Sequence, residues 1–358
     1  MVWKRMVILM NYKKSIKDII PHSKPYISEN DKKYILNVMN SGMISSGEKV
    51  KEFEQQVSKY IGVKNGIATS SGTMSVVFSL KALDIKKGDE VIIPTYLCPC
   101  ILEAVLAVEA TPVLCDVDTE WILSKKTVEP HITTNTKAII VPHICGISVK
   151  IEDLLEFGIP IIEDIAQAFG GMLNNRKIGT YGDFTVCSFG AIKCLTTGEG
   201  GMVLTNNDEM CEKIRKFKVF SPMSDIQAML GISQLKMYDF FLERRKKIAN
   251  MYLKEFSIFE GLCMSDDLKN RDMFFRFPLN LNFNEVKDAF LKKNVIVRQF
   301  IDFLLHRILK LDSKNYPNAE YFFKNTISIP IYPALTDYEV EYIIDTTKSI
   351  INEIKLYN

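Results

Sequence analysis

Two stretches govern the reading of this sequence: IPIIEDIAQAFG at residues 159–170 and FTVCSFGAIKCLTTGEGG at residues 184–201. The first opens as a buried strand over 159–163 and ends in Asp164, with Gln167 three residues on. The second opens as a strand over 184–189 with Ser188 at its end, then leads to Lys193 and the run Gly198, Glu199, Gly200, Gly201. In a parallel sheet, successive strand ends face one crevice. An acid, a hydroxyl and a lysine in this order are therefore expected to converge there.

Each residue has a plainer reading when taken singly. A lysine on a loop is most often a solvated charge. Asp164 and Gln167 have the spacing of a capping box that merely starts a helix. Ser188 can be an ordinary strand residue, and the glycine run an ordinary turn. The order and spacing of the whole set argue for a site.

The run Glu163, Asp164, Ile165, Ala166, Gln167, Ala168, Phe169, Gly170, followed by Ser188, Phe189, Lys193 and the glycine run with Glu199, resembles the DegT/StrS-type sugar aminotransferases. These are fold-type-I pyridoxal phosphate enzymes. The likeness extends over residues 42–52, 70–73, 88–118, 136–146 and 224–252. It implies an α/β large domain on a mainly parallel seven-stranded sheet flanked by helices, with a smaller C-terminal α+β domain. Lys193 is then the catalytic lysine that joins the cofactor as a Schiff base, and Asp164 the acid that keeps the pyridine nitrogen protonated. Gln167 lies close to the ring, and Gly72, Thr73 and Ser188 sit with the phosphate.

The resemblance further implies an amino-acid donor, commonly L-glutamate, and a nucleotide-linked keto-sugar acceptor, in the making of an amino sugar for a surface polysaccharide or a glycosylated metabolite. It implies a homodimer with the active site at its interface. Dehydratases of the family carry histidine at the lysine position, so Lys193 favours amino transfer. Arg298 and His306 are substrate candidates from the smaller domain, although Arg298 reads equally as a surface ion-pair residue.

Two departures stand out. The position of Cys98 is usually an aromatic residue that stacks on the pyridine ring; a sulfur also packs against aromatic rings, and Tyr96 is the alternative two residues away. The loop before Ser224 is cut to 220–223 and lacks the asparagine that reaches the neighbouring subunit's cofactor phosphate. These departures keep two other readings open: a cofactor-binding relative with lost or altered catalysis and a regulatory role, or an aminotransferase acting on a non-sugar ketone.

Composition sets the outer limits. The chain has 358 residues, 47% hydrophobic and 25% charged, with a formal net charge of +2. That is enough for a large core in two domains, read as 1–240 and 241–358. No basic block stands apart to suggest nucleic acid or a membrane surface. Eight scattered cysteines suit reduced thiols and a cytoplasmic location. The apolar run at 7–10 is too short for a signal-peptide core, and no segment has the apolar length of a membrane span. Cys98 and Cys100 could meet His143 and Cys145 as zinc ligands, but Cys-x-Cys and His-x-Cys depart from the usual spacing, and structural thiols are the better reading.

Along the chain, Ser28 with Asp31 signals a helix to about residue 40, and a second helix follows Gly47 with Val50, Phe53, Val57 and Tyr60 at helical spacing. A strand over 66–69, the turn Ser70, Ser71, Gly72, Thr73 and a helix to 83 make an anion site, or else a plain strand-to-helix turn. Further strands are expected over 90–93, 113–115 and 138–141, alternating with helices as in a parallel sheet covered on both faces. Asn206 and Asp208 are expected to cap a helix to 219, and residues 223–256 to form one long helix or two. In the smaller domain, 274–279 and 295–297 read as strands and 284–293 and 337–351 as helices.

Overall fold

The computed structural model describes residues 18–263 and 273–357; the apolar run at 7–10 lies outside them. In chain order the strands of the first body are β1 (Asn65–Thr69), β2 (Glu90–Pro94), β3 (Thr111–Cys115), β4 (Thr136–Pro142), β5 (Ile161–Asp164), the two-residue pair β6 (Met172–Leu173) and β7 (Arg176–Lys177), β8 (Phe184–Ser188) and β9 (Gly201–Thr205). Seven of them form one sheet in the order β1-β9-β8-β5-β4-β2-β3, and β6 and β7 make a separate hairpin. Pairing from β8 through β5 and β4 to β2 and β3 is parallel, and β9 runs antiparallel to both its neighbours. The chain is thus α/β with a mainly parallel seven-stranded sheet. Strands β5 and β9 are buried along their whole length, as a sheet covered on both faces requires.

Local chemistry explains the helix boundaries. Ser28 and Asp31 form a reciprocal capping box at Glu29–Ser41, and Gly42 ends that helix with φ of 72°. Helix Glu48–Ile61 starts at Gly47 without a local side-chain cap; Asp225 Oδ1 accepts the Gly47 and Val50 N–H groups instead, at 2.8 and 3.0 Å. Residues 223–256 form two helices, Asp225–Lys236 and Tyr238–Phe256, parted at Met237.

Several expectations are corrected. No helix follows Asp164: the chain turns, Asp164 Oδ1 accepts the Ala166 N–H at 2.9 Å, and Gln167 bonds elsewhere. Asn207 caps helix Asp208–Phe217, because Asn206 Oδ1 is held by the Lys64 N–H at 2.9 Å. In the smaller body, β10 (Phe277–Asn280), β11 (Arg298–Gln299) and β12 (Thr326–Ile329) form an antiparallel sheet. The strand expected at 295–297 is displaced, since Val295 forms an isolated bridge with Ile20 and pairing resumes at Arg298.

Apolar packing divides into two cores. One takes in the large sheet up to Phe241; the other runs from Ile248 and includes Ile20, β10, β12 and helix Asp337–Tyr357. A single helix, Tyr238–Phe256, therefore feeds both. Phe300, Leu305, Tyr316 and Phe322 return to the first core. Leu305 N–H donates to Thr95 O at 2.8 Å, and Asp116 accepts the Asn318 and Ala319 N–H groups at 2.9 Å each.

Candidate active site

The C-terminal edge of the sheet is built around Gly201. As the first residue of the antiparallel strand β9, it pairs with both Thr69 and Ser188, so the ends of β1 and β8 flank it. A Cβ at Gly201 would stand 2.3 Å from Ser71 O, so glycine lets the turn after β1 fold over the sheet edge. Gly72 meets Ser188 there: a Cβ at Gly72 would lie 2.7 Å from the Ser188 Cβ. Ser71 caps helix Gly72–Ala82 through the Met74 N–H at 3.2 Å. Ser70, Gly72, Thr73 and Ser188 are half-buried. A helix N-terminus beside serine and threonine hydroxyls is a cradle for an anion.

Lys193 lies on the loop from β8 to β9, whose neck is closed by Phe189 N–H to Gly200 O at 2.8 Å and Thr197 N–H to Phe189 O at 2.9 Å. Gln227 Nε2 ties the loop to helix Asp225–Lys236 through Glu199 O at 2.7 Å. The half-buried Lys193 holds its ammonium 5.4 Å from the centre of the Phe275 ring. Phe275 went unnoticed in the sequence, where it was one apolar residue among several.

Asp164 is 7% exposed, and burial pushes its carboxyl up, opposed by the Ala166 N–H, the Lys193 ammonium and His143. Lys193 thus acts on Asp164 across the crevice. Behind it, Glu163 accepts N–H groups from Gly179, Tyr181 and Gly182 at 2.8, 2.7 and 2.6 Å. Val149 N–H donates to His143 Nδ1 at 3.1 Å, which puts the ring proton on Nε2, 3.2 Å from Glu163 Oε2. Burial pushes Glu163 up, but His143 and the backbone donors outweigh it and hold the carboxyl low. This network fixes the strand end that carries Asp164. The sequence offered His143 only as a metal ligand.

Gln167 Oε1 accepts the Cys145 N–H at 3.0 Å, which turns its side chain toward the end of β4. His143 and Cys145 thus have partners of their own, and among the described residues no group of three or more His, Cys, Asp or Glu could hold a metal ion. Cys98, Cys100, Cys115, Cys187, Cys194 and Cys211 are in no disulfide. Cys98 is exposed at the start of helix Pro99–Ala107, and both Lys193 and Asp164 act on its charge. Tyr96 is fully buried in the first core and does not take the place of Cys98.

The two substrate candidates part ways. Arg298 lies on β11 with a side chain 53% exposed, 4.0 Å from Asp302. His306 is fully buried, with Nδ1 2.7 Å from Thr95 Oγ1, Nε2 2.9 Å from Glu320 Oε1, and its ring stacked on Tyr316. Both of its nitrogens are engaged, so it packs the 300–325 segment onto the turn after β2 instead of meeting a substrate. No helix among the described residues is long and apolar enough to cross a membrane.

A mainly parallel α/β sheet thus carries a helix N-terminus, a buried acid and a loop lysine along its edge. The chain belongs to the DegT/DnrJ/EryC1/StrS aminotransferase family, whose model matches residues 25–348. It is similar to the spore coat polysaccharide biosynthesis protein SpsC of Bacillus subtilis, at 29% identity over 93% of this chain and 97% of that protein. It is also similar to GDP-perosamine synthase of Vibrio cholerae, at 28% identity over 93% of this chain and 100% of that protein. Among solved structures, Spr1654 of Streptococcus pneumoniae in its PLP-form superposes with a TM-score of 0.86 at 26% identity, over 94% of this chain and 99% of that one.

Proposed function

We propose that this aminotransferase moves an amino group from an amino acid, L-glutamate foremost, to a keto-sugar carried on a nucleotide, toward an amino sugar of a surface polysaccharide or a glycosylated metabolite. The observation that carries the reading is that Gly72 touches Ser188 at the sheet edge where β5 ends in the buried Asp164 and the loop bearing Lys193 begins. The names of SpsC and GDP-perosamine synthase support a sugar as acceptor.

The residues present fit pyridoxal phosphate. A Cβ at Gly72 would crowd the cradle, the donor set there suits a phosphate, and a buried acid faces a lysine across the crevice. Gly72, Thr73 and Ser188 are the phosphate holders, Asp164 and Gln167 lie on the ring side, Cys98 takes the usual aromatic position, and Lys193 is the covalent attachment. When bound, pyridoxal phosphate supplies an electron sink for charge on the substrate carbon. Lys193 Nζ, once released from the cofactor carbon, would move a proton between that carbon and the substrate carbon. Asp164 keeps a negative charge for the ring nitrogen, with the Ala166 N–H fixing its orientation. Glu163 and His143 hold the strand end still.

Arg298 is the candidate for a charged end of the substrate, being more than half exposed. A homodimer that completes the site is supported by exposed apolar residues at Met43, Val219 and Phe220, 72%, 73% and 80% open, which a second copy would cover. Cys98, Cys100, Cys115, Cys187, Cys194 and Cys211, outside any disulfide, fit a cytoplasmic enzyme.

Borohydride reduction and peptide mapping test the attachment: the label is expected on Lys193, and a label on any other lysine overturns it. Lys193→Ala should abolish turnover with the fold intact. An absorption change on titration with L-glutamate separates an aminotransferase from a catalytically silent relative. Turnover of keto-sugar nucleotides, screened beside non-sugar ketones, tests the acceptor class.

A further inference from the structure

Helix Pro99–Ala107 begins with two thiols in contact. Cys98 is its N-cap residue and exposed, Cys100 is half-buried one turn edge away, and the Cys100 S–H donates to Cys98 Sγ at 3.1 Å. No nearer thiol competes for either sulfur among the hydrogen bonds of the described residues, and the Lys193 ammonium and Asp164 carboxyl are the charged groups that act on the pair. We propose that Cys98 and Cys100 form a thiol oxidation site on the cofactor face, in which a hydroperoxide oxidises Cys98 and Cys100 resolves the product into a reversible intrachain disulfide.

The two sulfurs are prepared for different parts. The Cys100 S–H bond, with the Cys100 N–H and the Lys193 ammonium, outweighs burial and Asp164 and brings the Cys98 thiol down to about 6. The same bond, together with burial, pushes Cys100 up. Cys98 is thus the thiol that ionises first and Cys100 the one that keeps its proton, and the thiolate is the nucleophile. Cys98 sulfur attacks the outer oxygen of the hydroperoxide; the O–O bond breaks, the alcohol leaves with a proton, and sulfur loses two electrons to become the sulfenic acid. Cys100 sulfur then attacks that sulfur. The S–O bond breaks and hydroxide departs with the thiol proton as water, so two thiols and one hydroperoxide give a disulfide, an alcohol and water.

The sulfurs need to close by only about 1 Å to reach bonding distance. Closure across one intervening residue, Pro99, makes a small and strained ring, and strained disulfides are the readily reduced ones. The bond would also remove the thiolate from beside Lys193 and Asp164, which links thiol state to the pocket.

The test reads thiol chemistry and so stands apart from whether the chain aminates sugars. The purified full chain, with and without pyridoxal phosphate, is treated with hydrogen peroxide, and its thiols are mapped by mass spectrometry. The expected product is a Cys98–Cys100 disulfide that dithiothreitol reverses. In Cys100→Ser, a 1,3-dione probe should instead label Cys98 as the sulfenic acid. In Cys98→Ser, peroxide consumption should slow about tenfold. Circular dichroism confirms that each variant is folded; if one is not, mapping of the parent with limiting peroxide decides alone. First oxidation at any other cysteine, or a parent whose Cys98 and Cys100 stay reduced under excess peroxide, overturns the proposal.

Discussion

Gly72 and Ser188 touch so closely across the sheet edge that a Cβ on the first would stand 2.7 Å from the Cβ of the second. Alanine in place of glycine ordinarily favours a helix by up to about 1 kcal/mol. At Gly72 the clash outweighs that gain, because the Ser188 Cβ is fixed to the β8 backbone and cannot turn away, so Gly72→Ala should lower stability by about 1–3 kcal/mol while displacing Ser188. Losing one charge-assisted bond to a phosphate, about 1.5–3 kcal/mol, loosens the cofactor by roughly one to two orders of magnitude. Equilibrium dialysis with pyridoxal phosphate measures this, with Ser188→Ala alongside as the direct loss of the hydroxyl. Parent-like affinity in both would remove the cradle from the phosphate site.

Asp164→Asn keeps the shape of a buried side chain and its bond from Ala166 while removing its charge. Turnover is expected to fall about a hundredfold, the scale of a lost electrostatic partner, with cofactor occupancy less affected. Single-turnover rates on fully loaded protein are the measurement. A loaded variant with the parent's rate would exclude Asp164 from the reaction.

Glu163 is fully buried with four hydrogen-bond donors, and Glu163→Gln turns an NH2 group toward some of them. The cost at neutral pH should be about 1.5–3 kcal/mol. Because the folded carboxyl is held below its unfolded value of about 4.3, its stabilisation is present above that value and is lost as pH falls through the folded one. Urea titrations across pH should show parent and variant far apart at pH 7 and converging below about 4. A constant gap down to the acid limit would contradict the assignment.

Removing the His306 ring leaves Thr95 and Glu320 short of a partner and a hole against Tyr316. His306→Ala should cost about 2–4 kcal/mol in urea unfolding, with KM for donor and acceptor within about twofold of the parent. A large rise in KM at unchanged stability would return His306 to the substrate.

The sheet was legible because its inner strands are short apolar runs between turn residues, and β5 and β8 end in polar residues. What escaped the sequence was side-chain commitment across long separations. The spacing of Asp164 and Gln167 has the form of a helix cap, yet Gln167 bonds the Cys145 N–H in the turn after β4. Asp225 caps a helix that starts 178 positions earlier, at Gly47. His306, polar and in a loop-rich segment, read as a substrate contact until its partners at Thr95 and Glu320 came together. That Gly72, Ser188 and Asp164 lie at one edge was readable because strand order alone brings strand ends together.

The helix Tyr238–Phe256 passes from one core to the other, and the chain at 300–325 crosses back and is fastened to Thr95 and Asp116. These crossings, with a third where the chain leaves Ile20 for Val38, act like rivets through a pair of plates. A hinge would have to bend at all of them together, which favours small movements of the smaller body over a free swing. Access to Lys193 is thereby left to shorter movements of loops and side chains within a stiff frame.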